Sequence, residues 1–149
     1  MIPAVIFPIG DDHYAVAASS VREVVCEPRP TRLPTLAPSV LGAFNLRGEV
    51  VPLFDLAALL GVGTTLDAPF AVVVNTPTGS AGLAVGGLPL VVSLDEEIAP
   101  TELRGRLGVH AFGGRLAVLL DASELLTGGA DVAGVPTGTA TVVREMAGR

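Results

Sequence analysis

The chain repeats itself. Shifted by 66 residues (121 − 55), Leu41–Leu60 lies over Leu107–Leu126, with identities at Leu41/Leu107, Gly42/Gly108, Gly48/Gly114, Leu53/Leu119, Asp55/Asp121, Leu59/Leu125 and Leu60/Leu126. Each copy reads as an apolar strand, a glycine turn, a second strand, and an aspartate before a short apolar helix. One such unit cannot bury a core alone, so two copies imply two similar subdomains that support each other. Aromatics make up only 4% of the chain and Trp is absent, which leaves Val, Leu, Ala and Ile to fill the interior. With 18 Gly and 12 Pro among them, these residues favour short strands and tight turns. The expected fold is all-β: two small five-stranded antiparallel barrels with short helices, because closure removes exposed strand edges.

Read along the chain, Ala4–Ile9 and His13–Val16 flank an Asp/Gly cluster and predict a hairpin. In Ser20–Val25 the apolar residues fall at 21, 24 and 25, the spacing of one helical turn, in a segment too short for periodicity to settle. Pro28, Pro30, Pro34 and Pro38 make the following stretch an extended connection. Further hairpins are expected at Gly42–Leu46/Val50–Phe54, at Phe70–Asn75/Gly82–Val85 and at Leu107–Phe112/Leu116–Leu120, with an apolar run at Leu88–Leu94. Asp55 and Asp121 stand where helix N-caps belong, and Glu124 is placed to complete a capping box. Residues 1–126 thus form the folded unit, and the Gly/Thr/Ala-rich start of 127–149 reads as a flexible tail.

Composition excludes several functions. The net charge is −6 and no segment concentrates Lys or Arg, which speaks against nucleic acid and against an anionic membrane surface. No apolar run is long enough to span a bilayer, and the N-terminus lacks the basic start of a secretory signal. A lone cysteine, Cys26, fits a reducing compartment, so a cytoplasmic protein is expected. Catalytic signals are sparse. Cys26 with His13 or His110 could form a thiol–imidazole pair, but a lone Cys is more simply read as a small buried hydrophobe. His13 beside Asp11 and Asp12 lacks a further ligand at metal spacing. Neither a cofactor nor a metal is expected.

One segment departs from the repeat in a way the fold does not require. Where the first copy has Asn45 and Arg47, the second has Ala111 and Gly113. A guanidinium at a turn offers a forked donor suited to a carboxylate or carbonyls on a partner. The competing reading is an internal salt bridge that staples the two halves.

Gly42-Ala43-Phe44-Asn45-Leu46-Arg47-Gly48-Glu49-Val50-Val51-Pro52-Leu53-Phe54-Asp55-Leu56 resembles the signature of the CheW-like chemotaxis coupling proteins. The likeness extends upstream through Tyr14-Ala15-Val16 and Val21-Arg22-Glu23-Val24-Val25, and downstream to Ile98-Ala99-Pro100. It implies two intertwined five-stranded barrels. It also implies an adaptor role between the cytoplasmic tips of methyl-accepting chemoreceptors and the regulatory domain of a CheA-type histidine kinase. Binding surfaces would then include Val21, Glu23 and Val24 together with the turn at Asn45, Arg47 and Gly48.

The chain departs from the family at Gly86, where relatives carry an acidic residue, at Pro89, and in a short connection from Pro100 to Leu107. A divergent module serving another chemosensory or motility pathway, with a single partner, is the alternative of the same class; a small Cys/His enzyme is the alternative of another.

Overall fold

The computed structural model describes residues 1–32, 34, 37–65 and 67–133. Among these residues, eleven strands form two sheets. The first half supplies β1 (Ile2–Ile9), β2 (Asp12–Ala17), β3 (Val21–Cys26), β4 (Val40–Leu46), β5 (Glu49–Asp55) and helix α1 (Leu56–Leu60). The second supplies β6 (Phe70–Thr76), β7 (Gly79–Val85), β8 (Leu90–Leu94), β9 (Glu97–Ala99), β10 (Arg106–Phe112), β11 (Arg115–Leu120) and helix α2 (Ala122–Ala133). One sheet has the order β8-β1-β2-β11-β10-β9 and the other β3-β6-β7-β5-β4.

The repeat is deeper than the sequence suggests. Hairpins β4–β5 and β10–β11 share one register at a shift of 66, including a bulge after Val40 and after Arg106. Hairpins β1–β2 and β6–β7 also match, at a shift of 67: Val5 faces Val16 as Val72 faces Leu83. Edge strands β3 and β8 match at the same shift, since Val24 pairs with Val72 as Val91 pairs with Val5. Each sheet therefore takes its first hairpin from one repeat and its remaining strands from the other. The halves are intertwined by this exchange. Few identities mark the first hairpins, which is why only the second hairpins show the repeat in the sequence.

The exchange corrects the expected topology. Each visiting hairpin docks beside the host's last strand as a parallel neighbour, β2 on β11 and β7 on β5, so neither sheet is wholly antiparallel. The first sheet has six strands, because the three-residue β9 adds an edge. No ladder among the described residues closes either sheet into a barrel. Instead each sheet curls over apolar side chains of its own: Phe44, Val51, Leu53, Ala71 and Val73 in the second, Ala4, Ile6, Ala15, Leu94 and Leu119 in the first. A third cluster lies between them, joining Phe7 and Val16 to Val72, Leu83, Leu56 and Leu125. The central strands are buried on both faces, and their unbroken runs of Val and Ala follow from that.

Local differences have local causes. Val21–Cys26 is a strand, not a helical turn; a bulge between Val21 and Glu23 puts Val21 and Val24 on one face, three residues apart, which mimics helical spacing. Strand β8 begins only after Pro89, which has no N–H for a ladder. Asp55 caps α1 through Ala58 N at 3.3 Å, and Asp121 caps α2 through Glu124 N at 3.1 Å. The reciprocal half of the expected capping box is not used, because the Asp121 N–H donates to the Gly105 carbonyl at 2.8 Å; the Asp55 N–H likewise donates to Ser39. Helix α2 continues to Ala133, past Leu126, with the Thr127 hydroxyl donating to Ser123 O at 2.9 Å. The rest of the expected tail, 134–149, lies outside the described residues. Cys26 is exposed at the end of an edge strand, contrary to the buried role expected of it.

The paired bulges give a test. Gly42 and Gly108 have φ of 146° and 150°, a conformation that side chains rarely adopt. A methyl at Gly42 would strike the Thr31 carbonyl oxygen, which is backbone, whereas one at Gly108 would strike the carboxylate of Glu97, which can swing aside. Gly42→Ala is expected to lower stability by about 2–4 kcal/mol and Gly108→Ala by about 1–2 kcal/mol in denaturant unfolding. Equal losses would contradict this account of the bulges.

Candidate protein-binding surface

The tight turn between β4 and β5 has two residues, Arg47 and Gly48, both at positive φ (49° and 89°), as a type I′ turn requires. Its counterpart between β10 and β11 is Gly113-Gly114, at 48° and 78°. The fold therefore fills the first turn position with glycine in one copy and with arginine in the other. A side chain at this φ is strained by contact with its own backbone, and glycine is not. Asn45 helps to hold the turn, its Oδ1 accepting from Gly48 N at 2.9 Å.

The strained residue reaches a specific partner. Arg47 grips Glu23 on β3 with both terminal nitrogens, Nη1 donating to Oε2 at 3.1 Å and Nη2 donating to Oε1. Glu23 stands opposite Val73, on the face that lines the second sheet's own core. The pair thus spans the rim of that core, linking the β3 edge to the β4–β5 hairpin where no ladder does. Arg22 extends the array: its Nη1 donates to Glu49 Oε2 at 3.0 Å and to Ser80 Oγ at 3.1 Å, and its Nε lies 3.8 Å from Glu23. Hydrogen bonds from Arg47 hold the Glu23 carboxyl below its usual range, and the same bonds raise the Arg47 guanidinium.

Of the six residues predicted for binding, the structure gathers Glu23, Asn45, Arg47 and Gly48 at this rim. Val24 is an exposed neighbour on β3, while Val21 is half-buried against the core between the sheets. Sequence reading missed Arg22 and Glu49. Their signal was weak, one charge beside Glu23 and one at the turn, and only the curl of the sheet brings them together. The staple between halves is not what forms, because Arg47 and Glu23 lie in the same sheet. The Arg47 side chain is 65% exposed, so the pair is well solvated and adds little to folding.

The groups considered for catalysis do not assemble here. Cys26 lies on the second sheet, whereas His13 and His110 lie on the first. His110 is buried with its Nδ1 2.9 Å from the Asp95 carbonyl oxygen, and His13 packs edge-on against Phe112. No three His, Cys, Asp or Glu side chains among the described residues are grouped to hold a metal ion. No helix among the described residues is long and apolar enough to cross a membrane.

Residues 3–129 match the CheW-like domain. The chain belongs to the CheW-like family. It is 31% identical over 132 residues to the chemotaxis protein CheW of Klebsiella aerogenes, covering 82% of this chain and 80% of that one. It is 30% identical over 131 residues to the probable chemotaxis protein CheW of Rhizobium etli, covering 81% and 84%. The crystal structure of the scaffolding protein TtCheW from Thermoanaerobacter tengcongensis has the same fold, with a TM-score of 0.73, 22% identity, and coverage of 84% of this chain and 92% of that one. No enzyme family is among these relatives, which agrees with the scattered placement of Cys26 and the two histidines. Within the CheW-like frame the Arg47 turn is part of the longest stretch of resemblance, Gly42–Leu56.

The lowered titration of Glu23 has a definite sign. A carboxyl whose folded pKa is depressed adds stability above its unfolded pKa and loses it as pH falls through the folded value. Carboxyl-detected NMR is expected to show Glu23 titrating below an ordinary glutamate, and to return it to the ordinary range in Arg47→Ala. An unchanged Glu23 midpoint in that variant would show that Arg47 does not hold it.

Proposed function

We propose that this chain is a non-enzymatic cytoplasmic adaptor of chemotaxis, coupling chemoreceptor tips to the regulatory domain of a CheA-type histidine kinase. On this reading the rim of Arg47, Glu23, Asn45 and Gly48, flanked by Val21 and Val24, is one of its protein-binding surfaces. The observation that carries the reading is the turn itself. The fold accepts Gly113 at the matching position, yet the first copy keeps a strained arginine whose ion pair is solvated and adds little to folding. Strain retained at an exposed site without a folding benefit points to a functional use.

A coupling protein also needs two unlike faces, and the matched edges supply them. On β3 the rim carries Arg22, Glu23 and, across the sheet, Arg47 and Glu49. At the matching places the first sheet has Pro89, Leu90, Gly113 and Arg115, and Leu88, Leu90 and Val91 are exposed there. One edge carries a network of four charged side chains and the other a single arginine among exposed apolar residues, although the backbone beneath is the same. That contrast favours two partners over the single-partner alternative.

The decisive variant is the residue the fold already uses. Arg47→Gly is expected to leave the unfolding midpoint unchanged or raise it, because the strain is relieved. Affinity for the receptor tip or for the kinase domain is expected to fall by about tenfold or more, as for loss of a charged anchor at a small signalling interface. Affinity for both partners equal to that of the parent chain would remove Arg47 from the binding surface.

A further inference from the structure

A cleft opens where the two sheets meet, at the end of β5 opposite the Arg47 turn. Its volume of about 470 Å³ is in the range of small-molecule sites. Three connections surround it: the β1–β2 turn, the loop after α1, and the link from β7 to β8. Pro8, Ile9, Ala57 and Val62 supply an apolar wall, and Thr64, Thr65, Gly86 and Gly87 a polar one. None of the described lining side chains is charged.

The polar wall has hydrogen-bonding groups to spare. The backbones of Gly63, Thr64, Gly86 and Gly87 make no hydrogen bond to another described residue, and neither do the hydroxyls of Thr64 and Thr65. The wall is nevertheless held in place. Asp55 is 2% exposed and is used twice, its Oδ1 capping α1 while its Oδ2 accepts from Thr65 N at 2.9 Å. Gly87 lies so close to Pro8 that a methyl there would strike the ring. Folding does not require this arrangement. In the other half the residues that match 62–65 at the 66-residue shift, 128–131, continue helix α2 instead of forming a loop.

We propose that this cleft binds a small uncharged molecule carrying an amide beside an apolar group, up to about the size of a dipeptide. Hydroxyl and peptide groups each donate and accept hydrogen bonds, and an amide returns both. A charged ligand would give up its hydration with no opposite charge to meet it. Gly86 keeps the entrance clear. A Cβ there would lie 3.8 Å from Thr65 Cγ2, an ordinary contact, so a longer side chain at 86 fills the cleft without a backbone clash.

Amide-detected NMR titration of the full chain with N-acetyl-leucinamide tests the site. Saturable shifts are expected at Thr64, Thr65, Gly86 and Gly87, with half-saturation at about 1–10 mM for so small a probe. N-acetylleucine, with a carboxylate, and leucinamide, with an ammonium, are expected to bind about tenfold or more weakly. Gly86→Leu is expected to weaken binding of the neutral probe by about tenfold or more. Thr65→Val, which keeps the shape but lacks the hydroxyl, should weaken it about threefold or more, and it keeps the test intact if Gly86→Leu disturbs folding. Circular dichroism matching the parent shows which variants fold. No saturation by the neutral probe, equal binding of the charged probes, or parent-like binding by either folded variant would each overturn the inference.

Discussion

The structure depends on an exchange. Each sheet is completed by a hairpin from the opposite repeat, seated by a short parallel ladder, β2 on β11 and β7 on β5. Parallel neighbours need long connections, and here each connection is the rest of a subdomain. Neither half can therefore fold away from the other without losing the middle of its sheet. The cluster between the sheets, with Phe7, Val16, Val72 and Leu83 in it, is buried by the same exchange. Small side chains in the centre follow too, since Ala15, Ala71 and Ala84 lie in strands covered on both faces.

Against that shared frame, the differences between the copies are informative. Where both halves keep a feature, the fold explains it: Asp55 and Asp121 cap helices, and Gly42 and Gly108 shape bulges. Where one half departs, folding alone does not. Arg47 against Gly113 and Glu23 against Leu90 are departures of that kind, and both lie on the rims of their sheets. Duplication thus provides an internal control, separating what the backbone needs from what the surface does.

Much of this was legible in the sequence, and the failures have physical causes. The second hairpins announced the repeat because bulge glycines, capping aspartates and core leucines have few substitutes. The first hairpins concealed it, because any small or branched residue serves in a strand buried on both faces. Val21, Val24 and Val25 imitated a helix because a bulge converts alternation into a spacing of three. The barrels implied by closure became open curled sheets, since the rim of the second is bridged by Arg47 and Glu23 rather than by a ladder. At the candidate site, Asn45 and Arg47 stood out by comparison between repeats. Arg22 and Glu49 did not, because their proximity is created by the curl of the sheet and not by spacing along the chain.

The central claim is that one matched edge was specialised for a partner while the frame beneath stayed common. Amide hydrogen exchange of the intact chain, alone and then with a receptor-tip fragment or a kinase regulatory domain, tests it most directly. The account predicts that one of the two partners slows exchange at Val21–Val24 and Asn45–Gly48 while leaving the matching Leu88–Val91 and Ala111–Gly114 unchanged. Slowing at both sets of residues by the same partner, or at neither set by either partner, would contradict it.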